Sequence, residues 1–436
     1  MITRIEAYRY KCFERLQLDV GLYQVIVGRN GTGKSTLLDI PTMLGDMLES
    51  RRSGINKAFF EARERLAPRA VTARDLVFGG KGDWFALAIE VRLPEGITEQ
   101  LERRRFEEAN AKERDFLKRH PDRSFVSLRY ELAFRVSDGA VGISQEHLFL
   151  LPKDRSLLGE TPNGLWGDVE FPNRSVIHCV IARMSDGISV LEPEVGKRSA
   201  LPPAQMLTTT PALSGAPVDL SQFAATDWLR NYLGNDVLAV NLNLPAMREP
   251  QRQLNEGFKV SSDGTTLPWS VRTLQSDSAR HDEWIAHIAS ALPLIENVKA
   301  EIQEADKRAY LEVFYRTGFS VKSIGLSDGT FALLALSILP FLENVPSVVM
   351  VEEPENGIHP KAIEVILESL QVMDHSQAWV TTHSPIVVAV TKPEHLICLS
   401  MTKSKGVQAI RGDQHDLLSK WEGIPTLDVL FSAGVL

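Results

Sequence analysis

Eight consecutive residues, Gly28-Arg29-Asn30-Gly31-Thr32-Gly33-Lys34-Ser35, fill every fixed position of the pattern G-x-x-x-x-G-K-[ST]. An apolar run, Gln24-Val25-Ile26-Val27, precedes them and a helical pattern starts at Lys34, so the loop falls between a strand and a helix. Glycines at these spacings let backbone N–H groups turn inward around phosphate oxygens. The helix N-terminus adds unpaired donors and a partial positive charge. Lys34 is then placed to reach the β- and γ-phosphates of a nucleotide, and the Ser35 hydroxyl to ligate Mg²⁺. Asn30, Gly31, Gly33, Lys34, Ser35 and Thr36 are the expected nucleotide contacts. A glycine-rich turn that binds nothing is the alternative; a full match between a strand and a helix argues against it.

Such a loop needs carboxylates to hold the metal and orient water, on a buried strand expected next to the loop strand. Ser347-Val348-Val349-Met350-Val351 ending in Glu352-Glu353 supplies them, although an apolar strand with a solvated acidic end would read the same way. Pro354-Glu355-Asn356-Gly357-Ile358-His359-Pro360 then makes a tight turn into a helix from Lys361. Ala378 to Thr381 reads as another strand, with Thr382-His383-Ser384-Pro385 just beyond it. Alone, His383 would be an ordinary core or surface histidine; placed here it is a candidate contact for the γ-phosphate.

One further segment, Leu326-Ser327-Asp328-Gly329-Thr330, starts a helix: Ser327 is a good N-cap, Gly329 allows close backbone approach, and Phe331, Leu333, Leu334, Leu336 and Ile338 are apolar enough to fix that helix in the core. With this segment in the signature position, the four motifs resemble the ATP-binding-cassette (ABC) superfamily, in the branch containing the SMC, RecF and OLD ATPases. Pro245-Ala246-Met247-Arg248-Glu249-Pro250 and Asp263-Gly264-Thr265-Thr266-Leu267 are similar to segments of stand-alone OLD-like, AAA-type ATPases of bacterial defence operons. The resemblance implies an α/β fold, an ABC/SMC-type ATPase head in which a mixed sheet with the phosphate loop and an antiparallel β lobe carry an inserted helical subdomain. It implies ATP and Mg²⁺ as cofactors and Mg²⁺-dependent hydrolysis. A homodimer is implied too, in which Ser327 and Gly329 of one copy grip the γ-phosphate held by the other. By the same resemblance Glu353 is the general base, acting with Lys34 and His383, and Glu352 supports the metal beside Ser35. Glu352 departs from the aspartate usual there by one methylene, and His359 stands where many members have the aspartate of the D-loop. The glutamine of the Q-loop has no assignable position.

Around these motifs the chain divides into a first ATPase lobe over 1–152, an irregular and helical insertion over 153–320, and a second lobe over 321–436. Within the first lobe, Asp83 to Leu93, Phe125 to Val136 and Val141 to Leu151 alternate as antiparallel strands. A charged helix over 98–120 projects between two of them. The stretch 153–218 has little period and is expected to be irregular. From Asp219 to about Leu311 helices are expected to dominate, with Asp227 to Leu233 and His281 to Ala291 among them. A closing hairpin is expected around Lys403 to Gly406.

The chain has 436 residues, 44% hydrophobic and 24% charged, an ordinary globular composition. Cys12, Cys179 and Cys398 form no C-x-x-C pair, which argues against a disulfide framework or zinc knuckle. Charges in Met1-Ile2-Thr3-Arg4-Ile5-Glu6 exclude a signal-peptide pattern, and the longest apolar run, Phe331 to Leu342, contains Pro340 and is too short to span a bilayer. A cytoplasmic protein with no membrane partner is expected. The net charge of -8 restricts any DNA contact to a local patch. The candidates are Arg51, Arg52, Lys57, Arg63, Arg65, Arg69 and Arg74, and Arg103 to Arg105, set against the interleaved Glu61, Glu64, Glu102, Glu107 and Glu108. Residues 386–436 are too few for a Toprim nuclease domain, and Asp413, His415 and Asp416 read as a solvated turn. Nuclease chemistry would therefore belong to a separate effector protein, Toprim-like in the OLD pattern. The expected function is an ATP-gated dimeric switch for a DNA-related effector in antiphage defence. The alternatives are a transporter ATPase subunit and a non-hydrolysing scaffold restraining a toxic partner.

Overall fold

The computed structural model describes residues 1–49, 54–62, 66–158, 165, 176–183, 187–195, 204–253, 260–402, 406–415 and 418. Among these, the strands are β1 (Ile2–Tyr10), β2 (Phe13–Asp19), β3 (Tyr23–Val27), β4 (Trp84–Arg92), β5 (Phe125–Ser137), β6 (Ala140–Pro152), β7 (His178–Arg183), β8 (Ile188–Leu191), β9 (Ala204–Gln205), β10 (Val237–Val240), β11 (Ile295–Ile302), β12 (Ala309–Tyr315), β13 (Ser320–Lys322), β14 (Val348–Glu352), β15 (Gln377–Thr382), β16 (Leu396–Thr402) and β17 (Gly406–Arg411). The helices are α1 (Lys34–Glu49), α2 (Gly54–Phe60), α3 (Glu95–Glu108), α4 (Ala111–Arg119), α5 (Ala224–Asn235), α6 (Leu244–Arg248), α7 (Leu267–Leu274), α8 (Ser278–Ala291), α9 (Asp328–Ser337), α10 (Pro360–Gln371) and α11 (Pro385–Val390). The fold is mixed α/β with an antiparallel lobe, the expected class.

Two compact units interleave along the chain. One comprises Met1–Gly21, Asp39–Asp236 and Met401–Ala409, the other Leu22–Leu38, Val237–Ser400 and Ile410–Leu436. The boundaries expected after 152 and after 320 are cut across by this division, because the phosphate-loop strand is paired with strands from the far end of the chain.

In the first unit, β17, β2, β1, β4, β5, β6, β7, β8 and β9 lie side by side, each neighbouring pair antiparallel. The antiparallel strands read over these stretches are present as β4, β5 and β6, but burial does not alternate along them as expected: Phe85 to Val91 of β4 are all buried, and polar positions are buried with the apolar ones. Arg129 is completely buried and donates to Glu6 at 2.8 Å, Glu90 at 2.9 Å and Glu131 at 2.6 Å. Burial pushes the Glu6 carboxyl up, yet the hydrogen bond and charge of Arg129, followed by those of Arg4, outweigh it and hold the group down at about 2.

The single helix expected over 98–120 is broken into α3 and α4. Asn110 accepts from the Glu113 backbone N–H at 2.9 Å while the Glu113 carboxylate accepts from that of Asn110 at 2.8 Å, a capping box that starts a new helix. Part of the stretch expected to be irregular forms β7 and β8. Runs this short establish no period alone and become strands by pairing outward from β6. Of the basic residues, Arg69 is buried and paired with Asp39 at 2.6 Å and Asp46 at 2.7 Å, while Arg105 pairs with Glu102 and stacks on Phe125. Arg51, Arg52, Arg63 and Arg65 lie outside the described residues.

The second unit is built on β10, β14, β15, β3 and β16, all parallel. Val25, Val27, Val349, Val351 and Val380 from these strands pack with Ile363, Ile366 and Leu370 of α10 and Leu333 and Leu336 of α9. A three-stranded antiparallel sheet, β11-β12-β13, occupies part of the region expected to be helical. Its Val298, Leu311 and Val313 pack with Val271, Trp284 and Ile288 of α7 and α8, and with Phe331 and Leu334 of α9. Helix α9 thus serves two cores at once, which explains a sequence apolar on every side. No helix among the described residues is long and apolar enough to cross a membrane. Asp413 is paired with Arg411 at 2.9 Å in a surface turn; Lys403, Asp416 and most of the chain after 415 are outside the described residues.

Candidate functional site

Register aligns three strand ends at one edge of the parallel sheet. Thr382 is opposite Val27, and Glu352 is opposite Thr381, so the loops after β3, β14 and β15 all leave from the same edge. The carboxyl edge of a parallel sheet is where α/β proteins place their ligands. One expectation is corrected: the acidic strand β14 is not next to the loop strand β3. β15 lies between them, because β14 and β15, joined through α10, pair directly with each other and β3 takes the far side of β15.

Gly28, Gly31 and Gly33 have φ of 157°, 81° and 85°. A Cβ on Gly28 would sit 2.6 Å from the Leu399 carbonyl oxygen and from Thr32 Oγ1, so the turn has no room for a side chain there. Lys34 is 7% exposed, and its ammonium donates to the carbonyls of Gly28 at 2.7 Å and Arg29 at 3.4 Å. Burial lowers its pKa, against the attraction of Glu353, Glu355 and Glu352, all of which face it electrostatically. Asn30 and Ser35 are exposed and Thr36 is half-buried on the first turn of α1.

Glu353 leaves the strand with φ of 45°, a left-handed conformation costly for a residue with a Cβ. Its N–H still bonds the Thr381 carbonyl at 2.9 Å. The kink turns its carboxylate onto His383, with Nδ1 to Oε1 at 2.9 Å, while Asn356 Nδ2 donates to Oε2 at 3.1 Å. Glu352 is exposed at the end of β14. Glu355, not singled out by sequence reasoning, accepts from Thr382 Oγ1 at 2.6 Å, and that hydroxyl accepts from the Ser384 N–H at 2.9 Å. The second oxygen of Glu355 is buried and has no hydrogen-bond partner among the described residues. The signal was a third carboxylate two residues after the acidic pair, on a turn rather than a strand.

Lys34, Glu353 and His383 are therefore brought together within the chain, with Glu352 and Glu355 in the same electrostatic field. Ser327 and Gly329 belong to a different surface feature. Ser327 is exposed and caps α9, accepting from the Thr330 N–H at 3.2 Å and sharing a 2.8 Å hydrogen bond with its hydroxyl. Among the described residues the hydrogen bonds of its side chain go to Thr330 and not to the phosphate loop. Gly329 packs so closely on the turn after Glu353 that a Cβ would lie 2.9 Å from the Gly357 carbonyl oxygen. His359 is exposed and caps α10, its Nδ1 accepting from the Lys361 N–H at 3.3 Å.

Ser35 and Glu352 are exposed, and these and Glu355 carry oxygen donors, the ligand type a hard divalent cation such as Mg²⁺ prefers, although the described residues hold no ready-made cluster of three acidic, histidine or cysteine ligands.

Residues 220–389 match a family described as "AAA domain, putative AbiEii toxin, Type IV TA system". That range includes α9, the acidic turn and His383 but not the phosphate loop, and is less than half of the chain. No curated protein matches the sequence. Among the solved structures similar in backbone are three SMC heads. An Smc head bound to the C-winged helix domain of ScpA has a TM-score of 0.48 and 12% identity, covering 94% of this chain and 97% of that one. An Smc head with an extended coiled coil, bound to the C-terminal domain of ScpA derived from Pyrococcus furiosus, has a TM-score of 0.45 and 12% identity, covering 94% and 95%. The SMC head domain from Thermotoga maritima has a TM-score of 0.37 and 11% identity, covering 94% and 98%.

Proposed function

We propose that the chain is an ATP-binding and ATP-hydrolysing head of the ABC/SMC type, OLD-like in its motifs, that closes on a second copy of itself around nucleotide. The observation that carries this reading is the Glu353 carboxylate held between His383 and Asn356 at the sheet edge, with Lys34 facing it. Lys34 exchanges its bonds to the Gly28 and Arg29 carbonyls for phosphate oxygens, which relieves the cost of its burial. Asn30 and the N–H groups from Gly31 to Thr36 surround the phosphates. Ser35 and Glu352 would hold Mg²⁺, with Glu355 beside them, and the bound ion would neutralise phosphate charge. In the chemical step Glu353 takes a proton from water as the water oxygen bonds to the γ-phosphorus and the bond to the β,γ-bridging oxygen breaks. His383 orients Glu353 and offers its other ring nitrogen to the γ-phosphate.

Ser327, exposed on a helix anchored in two cores, is suited to a phosphate presented by another molecule rather than by its own loop. The nucleotide would then bridge two copies, and hydrolysis would part them. A head that opens and closes in this way acts as a switch, and the reading extends to a separate DNA-related effector, a Toprim-like nuclease in antiphage defence being the form that the OLD-like motifs suggest.

The test uses Lys34→Ala and Ser327→Arg, each expected to be inactive alone. Mixed in equal amounts they should recover about a quarter of wild-type turnover, since half of the dimers pair unlike copies and each of those has one intact site. Wild-type hydrolysis by Ser327→Arg alone, or no recovery on mixing, would refute the shared site.

A further inference from the structure

The guanidinium of Arg248, at the end of α6, straddles the turn that starts α9. Its Nη2 donates to the Leu326 carbonyl at 3.2 Å and pairs with the Asp328 carboxylate, and Nη1 donates to the Leu244 carbonyl at 3.2 Å. The group also lies 5.7 Å from the centroid of the Phe331 ring. Arg248 therefore contacts the residue before Ser327, the residue after it, and the first buried ring of the helix. Asp328 has 57% of its side chain exposed, and an ion pair this open to water adds little to folding stability. Its position is more informative than its strength.

α6 is itself held firmly. Asn243 caps it by accepting from the Ala246 N–H at 3.2 Å, and the Asn243 N–H donates to the Asp263 carbonyl at 2.8 Å. The Asn241 N–H donates to the Ser262 carbonyl at 2.7 Å directly after β10, the parallel neighbour of acidic strand β14. Beyond α6, Gln251 pairs with Ala309 of β12, and the Trp269 indole donates to the Gln251 carbonyl at 3.1 Å. The segments 245–250 and 263–267, which contribute Arg248 and Asp263 to this network, make no hydrogen bond or ion pair with Lys34, Glu353 or His383 among the described residues.

We propose that Arg248 is a positioning residue that neutralises Asp328 and fixes the turn around Ser327, so that the start of α9 accepts a triphosphate carried by a second copy of the chain. This inference rests on the shared-site reading. The physical need is specific: Asp328 puts a negative charge one residue from the hydroxyl that must meet another anion. Left unpaired, that carboxylate would repel the phosphate. Arg248 cancels it, and because its tether to the Leu326 carbonyl does not depend on the Asp328 carboxylate, it also keeps Ser327 in register.

The experiment measures nucleotide-dependent association by sedimentation, with Mg²⁺ and ATP, in the Glu353→Gln background, where hydrolysis does not dissolve the complex. Arg248→Ala is expected to weaken association about tenfold per shared site, through like-charge repulsion at a partly exposed position, while leaving binding of fluorescent nucleotide to the single copy unchanged. Adding Asp328→Asn to Arg248→Ala should recover most of that loss, and the defect of Arg248→Ala should shrink with added salt. A merely structural contribution would show neither rescue nor salt dependence. Association equal to the Arg248-containing protein, or a loss that Asp328→Asn does not repair, would overturn the role of Arg248. If the Glu353→Gln parent itself fails to associate with ATP, the shared-site reading falls instead.

Discussion

Replacing Glu353 with Gln separates binding from chemistry. The side chains have the same length, and the pocket dictates how the amide must sit. Asn356 Nδ2 can only donate, so the Gln carbonyl oxygen takes the position now 3.1 Å away, and its NH₂ group faces His383 Nδ1 in place of the oxygen at 2.9 Å. His383 accommodates this by accepting from that NH₂ group at Nδ1, which leaves Nε2 for the phosphate contact proposed above. Packing and nucleotide contacts are therefore retained, and the loss is confined to the proton acceptor. A positioned general base contributes roughly 10²–10⁴-fold, or about 3–5 kcal/mol of barrier. Single-turnover hydrolysis with enzyme in excess should slow by that factor, while the dissociation constant for fluorescent ATP stays the same. Hydrolysis within about threefold of wild type would remove Glu353 from the chemical step. Equal loss of binding and turnover would show instead that the carboxylate serves the nucleotide site itself.

Gly329→Ala should preserve the fold, since alanine favours a helix by about 1 kcal/mol, yet push the Gly357 turn away. ATPase activity is expected to fall about tenfold or more with little change in melting temperature, and unchanged activity would show that the turn yields freely. Arg129→Met should cost roughly 3–5 kcal/mol in urea unfolding, because it removes the buried cation shared by Glu6, Glu90 and Glu131, leaving Glu6 only Arg4 and Glu90 only Arg155 as ion-pair partners among the described residues. The Glu6 carboxyl, held at about 2 when folded against an ordinary 4.5, stabilises the native state above pH 4.5 and loses that contribution as pH falls toward 2. A wild-type acid unfolding midpoint that Arg129→Met leaves in place would contradict this account.

Local patterns along the chain were enough to place the glycine-rich turn between β3 and α1, the acidic end of β14, the histidine after β15 and the capped helix α9, because each depends on neighbours a few residues away. Gly28 illustrates the point: its turn permits no side chain, and a glycine in a full motif declares that need directly. Elements whose identity depends on distant pairing were less legible. β7 and β8 are strands only because β6 offers an edge, and β11 with the start of β12, in a region expected to be helical, become strands by pairing with each other. Asn110 broke a helix that charge composition alone ran straight through.

Within the site, sequence determined which residue types were present, and tertiary structure decided which of them meet. The insertion of β15 between β3 and β14, the turn of Glu353 onto His383, the hydrogen bond of Thr382 to Glu355 and the reach of Arg248 across to Asp328 all join residues from separate segments. A sequence records a local motif because its spacing is covalent. Contacts between segments come from the strand order and from helix packing, where many residues act together, so no short pattern carries them.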